Sequence, residues 1–477
     1  MTGVTTKHAD YTANIQAWKM LDDVCVGQKA IKAAGQEYLP VPVTFGDGDK
    51  ERYKEYLDRA VFYGVTGRTL KSLIGSAFQR LPDFKRPDDF KYLERNADGA
   101  GRSIYQVAQR IVRLLMKHYR CGIYVDYPSV APSANKAEDK TKNAYPIIHT
   151  LEAKSVINWD YIIVGNQRKY SLIVIEETVA KVSEDGFSKK NENQYRVLRL
   201  IPQNESFVYV VEVWTAGEKG EYTKTSEVIP KDYHGKTWDF IPFSFCGATD
   251  NSDQIDNAPL LELAEINLSH YRNSADVEES GFITGQAVLC MPNVSMEQYK
   301  VIKEDKLKIG SRSGFPTEVK FAQADENSFV KQLAADKWVQ MKEMGARLVE
   351  VGSANKTATQ ADNEDSVQHS VLSLVVSNTS EVLQMALLWC ARFALPSKEW
   401  TSDDLTFSIS QDFNKPKYDP VRSRLIYEAC LNGSIPWYVW YHYEQTGTLP
   451  EDKWEDVVKK LEQQTDGGMN NPPNDGE

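Results

Sequence analysis

Apolar positions change period several times along the chain, and each change marks a change of structure. The first 120 residues keep a helical period. Residues 9–34 put Tyr11, Ile15, Trp18, Leu21, Val24 and Cys25 on one stripe. Residues 50–79 do the same with Tyr53, Tyr56, Leu57, Ala60, Phe62, Leu70, Leu73 and Phe78, with Gly64 and Gly67 as expected break points. A stronger stripe fills 101–119, GRSIYQVAQRIVRLLMKHY. From Cys121 to about 247 the period drops to two. CGIYVDY, YPIIHTLEA, VINWDYI, KYSLIVIEETVA, NQYRVLRLIP and SFVYVVEVW are β-branched and aromatic runs parted by turns such as EDG (184–186) and AGEKGE (216–221). The polar insert between Pro128 and Ala144 reads as a mobile loop.

The helical period then returns. Leu260, Leu263, Leu268, Tyr271 and Ala275 share a stripe, with Asn257 as the expected N-cap and Pro259 in the first turn. A short strand-and-turn insert, its strongest turn being GSRSGFP, leads to a second helix carrying Val330, Leu333, Ala334, Trp338, Met341 and Leu348. Then comes ARLVEVGSANKTATQADNEDS (346–366), small and polar, before a longer apolar helix through Val367, Val371, Leu372, Val375 and Leu383. A strand, LTFSISQDF, three short helices near 419–432, 436–446 and 450–464, and a tail of disordered composition complete an α+β chain without internal repeats.

At 477 residues the chain exceeds what one core organises, so several subdomains are expected. Its net charge of -11 argues against a broad grip on nucleic-acid phosphates, but not against a surface that nucleic acid slides past. Six cysteines at 25, 121, 246, 290, 390 and 430, without a CxxC pair, read as packed, reduced thiols. The most apolar run, 371–393, is interrupted by Ser373, Ser377, Asn378, Thr379, Ser380 and Glu381, and MTGVTTKHADY lacks a signal-peptide core, so a soluble, cytoplasmic protein is expected.

Candidate chemistry is sparse. HGKTWD (234–239) resembles a phosphate cradle, but position 230, where that motif needs Gly, is Pro, so a turn is expected. GVTGRT (64–69) follows a helix instead of a strand. No HExxH or GxSxG occurs, and the seven histidines never fall at ligand spacing. Asp22-Asp23, Glu176-Glu177, Glu278-Glu279 and Asp403-Asp404 read as solvated faces, His270 as a packing histidine, and the aromatic run 435–447 as a helix-packing surface because it lacks cations to draw in phosphates. No catalytic residue, cofactor or metal ligand is assigned.

PLLELAEINLSHYRNSADVEESGF followed by TGQAVLCMP, then WVQMKEMGARLV followed by KTATQAD, resembles the portal (head-to-tail connector) proteins of tailed bacteriophages. WKMLDDVCVGQKAIKAAGQEYLP and DFNKPKYDPVRSRLIYEACLNGSIP fit the same pattern, so the resemblance spans about 8–462. It implies a portal-type fold assembled as a dodecameric ring at one capsid vertex of the virion, made in the host cytoplasm. The segments map as wing 1–257 (β-rich over 121–247), first stem helix 258–281, β-containing clip 282–326, second stem helix 327–349, tunnel loop 350–365, long helix 366–399, helical crown 400–464 and disordered tail 465–477. The implied partners are double-stranded DNA in the channel, the large terminase, a head-tail adaptor protein and the major capsid protein. No membrane is implied.

Three residue sets follow. Leu260, Leu263, Leu268, Tyr271, Leu333, Trp338 and Met341 are expected to pack the stem between subunits. Ser353, Asn355, Lys356, Thr357, Thr359 and Gln360 are expected in the DNA-proximal loop, and Lys303, Lys306, Lys308 and Arg312 on a clip surface facing terminase or adaptor. Residues 349–366 hold four acids against Lys356 and 259–281 five against Arg272, mild repulsion that would let DNA slide. A nuclease or terminase subunit with an acidic metal site is the alternative, and it requires clustered carboxylates.

Overall fold

The computed structural model describes residues 3–43, 45, 49–127, 144–182, 186–203, 206–217, 221–255, 258–286, 288–290, 295–297, 300, 320–322, 328–347, 358–395, 400–401, 404–411, 413, 419–446, 449–450 and 457–461. The chain divides into two units, Met1–Gln411 and Asp412–Glu477.

The first unit opens with helices α1 (Ala9–Val26), α2 (Gln28–Ala34), α3 (Lys50–Arg59) and α4 (Val65–Ala77). His8 caps α1, its ring Nδ1 accepting the Asp10 N–H at 3.2 Å. The single helix expected over 9–34 is split because Gly27, at φ 100°, takes a conformation that side chains disfavour. Asp49 caps α3 by accepting from the Arg52 N–H at 3.0 Å. The break expected near Gly64 is present, whereas α4 runs straight through Gly67. A Cβ there would lie 2.7 Å from the Cys25 carbonyl oxygen, so this glycine serves the close approach of α4 to α1.

Helix α5 (Ile104–His118) starts in a capping box between Ser103 and Gln106 and buries nine side chains, Ile111, Val112 and Leu115 among them. It lies with α8 (Ala358–Ala394) on a three-stranded antiparallel sheet, order β3-β2-β9, formed by β2 (Arg120–Asp126), β3 (Ile147–Glu152) and β9 (Phe243–Gly247). A second antiparallel sheet is a meander of β4 (Val156–Val164), β5 (Gln167–Val182), β6 (Lys189–Gln203), β7 (Ser206–Ala216) and β8 (Tyr222–Val228). The Tyr209 hydroxyl donates to that of Tyr124 at 3.0 Å and ties the two sheets together. The period-two signal located β2 to β7 but neither the short β9, FSFCG, which is buried along its whole length and does not alternate, nor β8, YTKTSEV. As an edge strand exposed along nearly all its length, β8 has no apolar face to alternate.

The 24-residue α6 (Leu261–Thr284) and the 20-residue α7 (Ser328–Arg347) bracket a two-stranded ribbon of β10 (Val288–Cys290) and β11 (Lys320–Ala322). α8, 37 residues or about 55 Å long, buries Leu372, Val375, Val376, Leu383, Leu387 and Cys390. Val371–Ala394 is the one segment among the described residues long and apolar enough to cross a membrane by length and composition. Half of its most apolar stretch is buried against the rest of the chain.

β1 (Asp83–Lys85) pairs with β12 (Thr406–Ser408), which fixes residues 400–411 to the first unit. The two compact units therefore part at 412 and not at 400, where a separate C-terminal segment was expected to begin, because the β1–β12 ladder holds the intervening strand to the first unit. In the second unit, α9 (Pro420–Leu431) and α10 (Trp437–Thr446) close over Ile426, Cys430, Trp437, Val439 and Tyr443. The aromatic run 435–447 thus makes a helix-packing core, with Tyr427, Trp437 and Trp440 edge to face at 5.4–6.1 Å.

Candidate assembly surface on a helical hairpin

α6 and α7 are antiparallel. Lys337 contacts the Ser269 hydroxyl and Trp338 lies 6.0 Å from the His270 ring at mid-length, while Val288 pairs with Ala322 beyond the helix ends. Sequence alone explains each helix: spaced apolar residues, no internal proline, and Gly285 just past the end of α6. The structure adds how each stripe is covered.

The first half of α6 is closed inside the chain. Leu260 and Tyr271 are 0% exposed, Leu263 1% and Leu268 4%. Its buried Asn267 is fully used. The Oδ1 atom accepts from Thr66 N–H at 3.3 Å and Thr66 Oγ1 at 3.1 Å, and Nδ2 donates to the Tyr63 carbonyl at 2.8 Å. Gly64 has no side chain to cap α4, so Asn267 caps that helix from across the interface. The expected N-cap position 257 lies outside the described residues. The helix begins after Leu260, without a side-chain cap.

The second half of α6 is latched by α3. Tyr56 Oη donates to Asp276 at 2.6 Å, Arg59 reaches Glu279 at 2.5 Å, and the Arg59 guanidinium sits 4.1 Å from the Phe282 ring. Two of the five acids expected to repel DNA are therefore spent inside the chain, and Glu262, Glu265 and Glu278 remain exposed. Past this latch Phe282 and Ile283 stand 41% and 44% exposed.

α7 is bare by comparison. From Ser328 to Gly345 only Met341 and Gly345 are buried, and Phe329, Leu333, Trp338 and Val339 are exposed. At 100° per residue, Phe329 and Leu333 lie about 40° apart on one flank. A Cβ on Gly345 would stand 3.2 Å from Thr69 Oγ1, so the far end of α7 presses against α4.

Of the seven residues expected between subunits, five (Leu260, Leu263, Leu268, Tyr271 and Met341) are covered within the chain. They are 0–4% exposed, so their stripe is already filled by this chain's own α1, α3 and α4. Leu333 and Trp338 remain available, Trp338 with one edge on Tyr63 at 5.6 Å. Ser353, Asn355, Lys356 and Thr357 of the expected loop, and Lys303, Lys306, Lys308 and Arg312 of the expected clip surface, lie outside the described residues. Thr359 and Gln360 do not lie in a loop: the backbone is helical from Ala358, eight residues earlier than the 366 start, because Ala358, Ala361, Asp362 and Glu364 are compatible with a helix even without an apolar stripe.

The chemical candidates resolve in local terms. HGKTWD is a turn organised by Asp232, whose carboxylate accepts from the N–H groups of His234 and Lys236 at 2.9 Å. Glu177 holds Arg196 at 2.7 Å, Glu279 holds Arg59, and Tyr38 Oη donates to Asp23 at 2.7 Å, so these acids are partners in folding instead of solvated faces. His270 is buried against Tyr63 and Trp338, and burial, then nearby Lys337, lowers its pKa. Among the described residues no group of three or more His, Cys, Asp or Glu is placed to hold a metal ion.

Two charged sites inside the fold escaped the sequence reading. Asp22 joins Lys117, Lys154 and the His118 ring (Nε2 at 2.9 Å). Burial alone would raise its pKa, but the hydrogen bonds from His118 and both lysines hold it well below the carboxylate range. Arg120, 2% exposed, is stacked between Phe245 at 3.6 Å and Trp159 at 4.4 Å, and burial pushes its pKa down to about 10. Neither has a local signal, since their partners are 95 or more and 39 or more residues away in sequence.

A family model described as "Domain of unknown function (DUF4055)" matches residues 259–394, which run from α6 through α8 and make up less than a third of the chain. No curated protein matches. Among solved structures, the chain is similar to one from the neck of a native GTA particle computed with C12 symmetry, at 10% identity and a TM-score of 0.38, covering 84% of this chain and 94% of that one. It is also similar to one from the neck of an empty GTA particle computed with C6 symmetry, at 11% identity and a TM-score of 0.37, covering 91% and 98%. Both TM-scores are too low to establish a shared fold.

Proposed function

We propose that the chain is the subunit of a phage-type portal ring, a non-enzymatic channel for double-stranded DNA at one vertex of a capsid and a docking platform for terminase and the head-tail adaptor. The observation that supports this reading is the hairpin: two antiparallel helices joined through a short β ribbon, one closed by its own chain and the other carrying exposed Phe329, Leu333, Trp338 and Val339. A helix about 30 Å long with so little intrachain cover gains from a neighbour. Each of these side chains, roughly half exposed, stands to gain on the order of 1 kcal/mol when covered. A closed ring supplies that cover to every copy without leaving an open end.

The stretch 350–365, expected as the tunnel loop, would then border the channel. With four acids to one lysine over 349–366, that border touches the duplex without holding it. The work of translocation comes from a separate motor, since the chain carries no phosphate cradle. Native mass spectrometry with negative-stain electron microscopy of the purified full chain is the test: rings with a central hole are expected. A monomer at micromolar concentration, or magnesium-dependent DNA cleavage by the purified chain, would overturn the assignment.

A further inference from the structure

Beside the C-terminal end of α8, away from the hairpin, a pocket of about 80 Å³ opens to the surface. Tyr92 and Tyr145, stacked at 4.6 Å, line it together with Tyr127 and Phe393, stacked at 5.8 Å, and with Tyr233 and Asp89. Its volume is that of two or three waters, far below the several hundred Å³ of a metabolite site, so it takes the end of a chain-like molecule and not a whole nucleotide or sugar.

Three independent features of the lining favour positive charge. Aromatic faces carry the negative end of the ring quadrupole and attract ammonium groups. Asp89 is an exposed carboxylate on the pocket wall. Phe393, Ala394 and Leu395 bring the C-terminal end of a 37-residue helix to the pocket, where the aligned peptide dipoles place partial negative charge. Of the cations adjacent in sequence to the lining, Arg392 is turned to other partners, its guanidinium 3.7 Å from Asp239 and 4.4 Å from the Trp238 ring, and Lys91, between Phe90 and Tyr92, is exposed. The tyrosines are anchored and do not need the ligand to hold them. Tyr92 Oη donates to the Pro146 carbonyl at 2.8 Å and Tyr127 Oη to that of Ala144 at 3.3 Å.

We propose that this pocket binds a primary alkylammonium group, the end of a polyamine or of a lysine side chain. The inference does not rest on the ring, so either can fail without the other. Saturation-transfer NMR and calorimetry on the full chain would compare n-butylammonium with the neutral, similarly sized n-butanol. About tenfold preference for the cation is expected, and it should fall at least severalfold in Asp89→Asn and in Tyr145→Leu. Spermidine and Nα-acetyl-lysine methylamide then separate the two sources by which binds more tightly. Equal binding of butanol and butylammonium would make the pocket merely apolar, and no binding of either would make it a packing gap. Either result overturns the proposal.

Discussion

α5 and α7 look alike as sequence and differ as structure. Both carry apolar residues at helical spacing, are 15 and 20 residues long, and are free of internal proline and, save Gly345 near the end of α7, of glycine. α5 is held by two layers of its own chain, a sheet below and helices α1, α4 and α8 around it, and nine of its side chains are buried. α7 has a single full-length neighbour, α6, and only the last part of it touches α4. A stripe of spaced apolar residues therefore states that a helix has a face to bury, and leaves open whether the cover comes from the same chain or from another copy. The comparison makes firm expectations for substitutions on each side of it.

The largest loss is expected in α5. Ile111→Ala removes a wholly buried side chain between helix and sheet and should cost about 3–4 kcal/mol, read as a lower urea midpoint. Next is Asp22→Asn, which strips the shared acceptor from Lys117, His118 and Lys154. About 2–3 kcal/mol should be lost at neutral pH, the low end for a buried pair because both lysines keep some access to water.

The same cluster sets a pH dependence. The Asp22 carboxyl is held below its unfolded value near 4, so its contribution is present above that pH and is lost as pH falls through the lower folded value. His118 is kept neutral by burial, which outweighs the pull of Asp22. Uptake of a proton by the unfolded chain below roughly pH 6.5 therefore begins the loss earlier. Urea midpoints measured from pH 8 to pH 3 should fall in two stages, and Asp22→Asn should flatten the second while keeping the first.

A smaller effect tests the covered part of the hairpin. Asn267 lies in the closed first half of α6, and Asn267→Ala leaves the buried Thr66 N–H without its partner, while the Tyr63 carbonyl keeps the Val65 N–H. About 2 kcal/mol is expected. Hydrogen exchange should accelerate at the first turn of α4 and remain unchanged in α5. Equal acceleration in both would show that the hairpin and the α5 core open together as one unit.

Local periodicity made most of this architecture legible. The strands from Cys121 to Trp214, the α6 and α7 helices, the ribbon between them and the packing role of 435–447 all leave a signature within ten or twenty residues. What was hidden depends on partners far apart in the chain. Gly67 reads as a breaker until Cys25 is seen against it, and Asp22 as a solvated acid until Lys117, His118 and Lys154 converge on it. β8 has no covered face to announce it, and β12 belongs to the first unit only because it pairs with β1. The same reason limits the candidate surface: seven stripe residues were nameable, and only the fold says that Leu333 and Trp338 face outward while the other five do not.

The substitution with the least effect on the folded subunit is the one that bears most on its role. Phe329→Glu with Leu333→Glu changes two exposed positions of α7 that touch little within the chain, so the urea midpoint should shift by less than about 0.5 kcal/mol. If neighbouring copies cover that flank, two carboxylates per subunit must be desolvated at every contact around the ring, and repetition makes the penalty decisive where a single contact would tolerate it. Sizing with light scattering should then show folded monomers in place of rings, while Val179→Glu, on an exposed part of β5 outside the hairpin, leaves rings intact. Rings that persist in the double variant would place the subunit contact elsewhere, and α7 would be exposed for some other partner.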